Sequence, residues 1–111
     1  MSLFDVQTKS EPYGVLASLS GEIDLSTVEG VESELRAAMD SGNGGVAVDL
    51  REVSFLDSSG LRLLLRLHKE LGDEGRRLIV VQGPRRVARV FELTGAEDQL
   101  EIVTDPAEIE A

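Results

Sequence analysis

Short apolar runs separated by turn residues set out the elements of this chain. Leu3 to Thr8 and Gly14 to Leu19 read as two strands joined at Glu11-Pro12-Tyr13-Gly14, where Pro and Gly supply turn geometry, so a hairpin opens the fold. Ser26-Thr27-Val28-Glu29 then has the S-x-x-E spacing of a capping box, in which a hydroxyl and a carboxylate satisfy each other's helix-end donors. Val28, Val31, Leu35 and Ala38 recur at helical spacing until Ser41-Gly42-Asn43-Gly44-Gly45 breaks the helix. Val46 to Leu50 is a short buried strand, Leu61 to Leu71 an amphipathic helix, and Leu78 to Val81 another strand. Gly83-Pro84 opens a helix carrying Val87, Val90 and Phe91, which Thr94-Gly95 closes. Leu100 to Val103 reads as a last strand, followed by a helical stub capped at Asp105-Pro106. Strand, helix, strand, helix, strand at these spacings predicts right-handed crossovers. The expected fold is α/β, with a mixed sheet of four to five strands and helices packed on it, as one domain over residues 1–111.

Composition narrows the functions such a domain can serve. The chain has 111 residues, with 21 acids against 11 Lys and Arg, for a net charge of −10, and a phosphate-backbone binder needs the opposite excess. Nucleic acid is therefore not an expected partner. With no cysteine and one histidine, His68, disulfides, thiol chemistry and sites needing two imidazoles drop out, and no metal or cofactor is expected. The residues Met1-Ser-Leu-Phe-Asp5 carry no basic or apolar leader pattern. No apolar run exceeds four residues, against the ~20 a bilayer span needs, so a cytoplasmic protein without a membrane partner is expected. The charge is also uneven. Residues 1–50 hold 9 acids and 2 bases, 51–89 hold 5 and 9, and 90–111 hold 7 and none, so the bases of the middle third read first as solvated helix faces, and any acidic or phosphorylated ligand is expected there.

That third contains Asp57-Ser58-Ser59-Gly60, just before the predicted helix. Asp57 or Ser58 suits the N-cap, and Ser59 packs or caps. Gly60 costs about 1 kcal/mol relative to Ala inside a helix, which implies a tight turn or a close approach to the backbone. Ser58, Arg62, Arg66 and Lys69 step by four, four and three and share one polar face. A hydroxyl at an exposed helix start, where free N–H groups converge, suits a phosphoryl group, so Ser58 is the candidate acceptor. His68 is ten residues on, roughly 15 Å along a helix at ~1.5 Å per residue, and cannot serve Ser58 as a base. No Gly-x-Ser-x-Gly elbow exists either, so an enzyme is not expected.

Gly21-Glu22-Ile23-Asp24, Ser26-Thr27, Val48-Asp49-Leu50, Phe55 to Leu61, Gly75 before Arg77-Leu78, and Thr94-Gly95 together resemble the STAS domain of bacterial anti-sigma factor antagonists, over nearly the whole chain. The resemblance implies that Ser58 is phosphorylated by an anti-sigma factor that is itself a serine kinase of the histidine-kinase-like ATPase fold. It also implies that Asp24 lies near that kinase interface, and that a PP2C-type phosphatase reverses the modification. The expected partner-binding set is Asp24, Asp57, Ser58, Ser59, Gly60 and Arg62, with Glu22 capping the first helix or touching the partner. Arg62 stands where some relatives carry a small residue, and the short C-terminus implies a truncated or missing last helix. The alternative function is a STAS scaffold that is never phosphorylated, in a stress-signalling or lipid-transport complex. A nucleotide-binding module ranks below it, since no Walker-type loop is present.

Overall fold

The computed structural model describes residues 3–110, so Met1, Ser2 and Ala111, the ends of the expected domain, lie outside the described residues. Five strands form one sheet in the order β1-β2-β3-β4-β5: β1 Phe4–Glu11, β2 Gly14–Ile23, β3 Gly45–Leu56, β4 Leu78–Val81 and β5 Glu101–Val103. The opening hairpin pairs β1 and β2 antiparallel, and every later pair is parallel. Between the parallel strands run α1 Val28–Asp40, α2 Ser58–Asp73 and α3 Arg85–Thr94. Each crossover advances by one strand in the same direction, so right-handed connections bring all three helices to one face. The mixed α/β sheet is therefore as the sequence predicts.

Between sheet and helices lies an aliphatic core. Ala17, Leu19, Val46, Val48, Leu50 and Val80 meet Val31, Leu35, Leu64, Leu67, Val87 and Phe91. Across the helix surface, Arg36 donates to Glu32 and Glu70, and Arg66 to Glu32, tying α1 to α2. On the opposite face Asp49, 5% exposed, accepts both Nε and Nη2 of Arg51.

Three local expectations need correction. The first concerns the capping box: α1 has Thr27 as N-cap with no side-chain capping bond, because Ser26 and Thr27 turn their hydroxyls back to Asp24 and the Glu22 carbonyl. Glu22 itself is exposed and does not cap α1. The second is that β3 runs on to Leu56 instead of ending at Leu50. Its last residues pair with β2 alone, across two register shifts that break the period-two pattern and leave polar Arg51, Glu52 and Ser54 exposed. Third, α2 starts at Ser58, three residues before Leu61. The closing stub is a single 3-10 turn, Pro106–Glu108, with Asp105 and Glu108 forming a capping box.

Candidate functional site

The end of β2 bends sharply toward α2. Gly21 has φ +92°, and a Cβ there would lie 2.2 Å from the Leu3 carbonyl oxygen, so only glycine fits. The register against β3 slips between Gly21 and Glu22, a bulge that re-aims the chain. Ile23 is then buried, and its carbonyl accepts the Asp57 N–H at 3.1 Å, fastening β2 to the start of α2. Asp24 Oδ1 accepts from the Ser26 N–H at 2.9 Å and the Ser26 hydroxyl at 2.6 Å, while the Asp24 N–H donates to Thr27 Oγ1 at 2.9 Å. The Ser26 hydroxyl bond holds the Asp24 carboxyl below the usual carboxylate range, against desolvation and the nearby Asp57 charge. At the tip of this knotted loop Leu25 is 77% exposed.

Asp57 is the only residue between β3 and α2, in an extended conformation, and it is the N-cap. Its Oδ1 accepts from the N–H groups of Ser59 at 2.9 Å and Gly60 at 3.3 Å and from the Ser59 hydroxyl at 2.5 Å. Burial pushes the Asp57 carboxyl up, but the Ser59 hydroxyl and the N–H groups of Gly60, Ser59 and Leu25 outweigh it, and the group ends below its ordinary value. The Leu25 bond joins the β2–α1 loop to the cap. Gly60 answers the question its position raised: a Cβ would lie 2.8 Å from Ile23 Cγ2 and 3.2 Å from Leu56 Cγ, so the close approach comes from the strand ends.

Asp24, Asp57 and Ser58 thus gather at the C-terminal end of the parallel strands, with the Ser58 side chain exposed as the first residue of α2. Ser59 and Gly60 lie beneath that surface; Ser59 is 9% exposed. Arg62 is exposed one turn along and, among the described residues, makes no ion pair. Farther along the same face, Arg66 and Lys69 are engaged by Glu32 and Asp73. His68 is half-buried, with Nδ1 lacking a hydrogen-bond partner among the described residues. Two exposed apolar residues that the sequence did not single out lie next to these positions in the chain, Leu25 after Asp24 and the 45% exposed Phe55 two residues before Asp57. Their only signal is placement, each an apolar residue next to a turn or bulge that already has Ile23 or Leu56 to fill the core.

The sequence of residues 5–109 matches the family model of the STAS domain. The chain belongs to the STAS family. This STAS domain is 29% identical over 98 residues to an anti-sigma-B factor antagonist of Staphylococcus aureus, covering 88% of this chain and 91% of that protein. A crystal structure of an anti-sigma factor antagonist from Mycobacterium paratuberculosis is 26% identical, with a TM-score of 0.81 over 95% of this STAS domain and 89% of that chain. The anti-sigma factor antagonist SpoIIAA in its unphosphorylated form is 26% identical, with a TM-score of 0.75 over 93% and 91%. Its phosphorylated form gives 25% and 0.67 over 93% and 95%.

Proposed function

We propose that this STAS domain is an anti-sigma factor antagonist that switches partners through Ser58. Unphosphorylated, it binds an anti-sigma factor that is also a serine kinase of the histidine-kinase-like ATPase fold, and so releases the sigma factor. Phosphorylation of Ser58 ends that binding, and a PP2C-type phosphatase restores it. The chain acts as ligand and substrate in this cycle, not as an enzyme. Its relatives' names point to the antagonist role. What carries the switch is the exposed Ser58 at the start of α2, on a frame fixed by the Asp57 cap and flanked by Asp24 and Leu25.

The physics of such a switch is local. A phosphoryl group adds a charge of about −1.5 to −2 at pH 7, small beside a total of −10 but large next to Asp57 and Asp24. Like charges brought together and desolvated at a contact centre cost several kcal/mol. At about 1.4 kcal/mol per decade, 3 to 4 kcal/mol lowers affinity by a hundred- to a thousand-fold. Incubation with the cognate kinase and ATP is expected to add one phosphoryl mass to the intact protein and none to Ser58→Ala. An unmodified wild type, or an addition that persists in Ser58→Ala, overturns the assignment.

A further inference from the structure

Of the eleven Lys and Arg side chains, all but four pair with a carboxylate among the described residues. The four are Arg62, Arg85, Arg86 and Arg89, and the last three crowd into the first five residues of α3. That position opposes them, since a helix start already carries partial positive charge and favours anions. No acidic residue in the first turn and no side-chain cap offsets the charge. Arg86, Val90 and Leu93 recur at i, i+4 and i+7 and so share one stripe. Val90 is packed against the core, while Leu93 is 76% exposed. Arg86 Nη1 lies 3.5 Å from the carbonyl of Ser54, three residues before the Asp57 cap and next to the exposed Phe55. Arg86 and Ser58 thus both lie near the C-terminal end of β3, and the stripe runs from there along α3 to Leu93.

We infer that Arg86, Arg89, Leu93 and Phe55 form a docking shoulder for an acidic, apolar-tipped surface of the anti-sigma kinase that addresses Ser58. The inference rests on the function proposed above. Charge complementarity selects the occupant: an acidic surface neutralises arginines that no carboxylate among the described residues pairs. The docking contact reaches along α3, so the kinase is held by more than the residue it modifies.

The test measures binding to the purified cognate kinase, for wild type and for the double variant Arg86→Glu/Arg89→Glu, over a series of salt concentrations. The variant is expected to bind roughly 10- to 100-fold more weakly, with a shallower salt dependence, and to melt at the same temperature or higher because the reversal suits the helix dipole. Wild-type affinity and salt dependence in the variant, with Ser58→Glu still abolishing binding, remove the shoulder and leave the Ser58 switch standing. A wild type that binds no such kinase overturns both. Wild-type self-association, or binding to phosphatidylserine vesicles, that the variant loses while kinase binding is unchanged reassigns the patch and overturns the inference.

Discussion

Asp57 Oδ1 serves three donors at the start of α2 and its carboxyl a fourth, the N–H of Leu25. Truncating it in Asp57→Ala leaves helix-end N–H groups unpaired and is expected to lower unfolding free energy by about 1–2 kcal/mol, measured by urea denaturation at pH 7. The Asp57 carboxyl titrates below its ordinary value in the folded protein, so its stabilisation is complete above the unfolded value of about 3.9 and is lost as pH falls through the lower folded value. The gap between wild type and Asp57→Ala therefore narrows below pH 4; a gap constant from pH 7 to pH 3 contradicts this. Gly60 tests the neighbouring contact. Alanine gains about 1 kcal/mol in helix propensity but drives a methyl into Ile23, a clash of the kind that costs about 1–3 kcal/mol, because the strand ends cannot recede without breaking the Asp57-to-Ile23 bond. Gly60→Ala is expected to lower the melting temperature, and an increase refutes the packing argument. The two adjacent serines also divide by hydrogen bonding: the Ser59 hydroxyl is committed to Asp57 and buried, so of the two only Ser58 is exposed to solvent.

The elements were legible where one physical signal acted alone. Turn residues bounded the opening hairpin, helical spacing marked the buried faces of α1, α2 and α3, and Gly95, in the left-handed conformation at φ +76°, closed α3 as expected. Legibility failed around the site, where two signals compete. The residues from Arg51 to Leu56 look like a loop because two register shifts disrupt the alternation and one edge lacks a strand partner, yet they form the end of β3 that carries the helix start. Ser58-Ser59-Gly60 has poor helix propensity, and tertiary packing against Ile23 and Leu56 outweighs it. The apparent capping box at Ser26 failed because the Ser26 hydroxyl donates to Asp24 and the Thr27 hydroxyl to the Glu22 carbonyl. As a candidate site, Asp57 and Ser58 were legible in the sequence and Asp24 through the family resemblance, and the structure brings the three together. The exposed apolar pair Leu25 and Phe55 was not legible, since an apolar residue carries no mark of which side it faces.

For the molecule as a whole, a phosphate on Ser58 calls for no rearrangement of this fold, because it would sit in solvent at a helix start that accepts anions. Phosphorylated protein is expected to keep its far-UV circular dichroism and to melt within about 5 °C of the unmodified form, a shift corresponding to about 1 kcal/mol for a domain of this size. Loss of helical signal on phosphorylation would instead make the switch an unfolding event. Among the described residues no helix is long and apolar enough to cross a membrane. The order of the sheet has a consequence for how the chain is made. Spatial order equals sequence order from β1 to β5, so each strand after the first pairs with the one synthesised just before it. As the polypeptide leaves the ribosome, every new strand finds its template in place, and no gap in the sheet waits for a later segment to be threaded in.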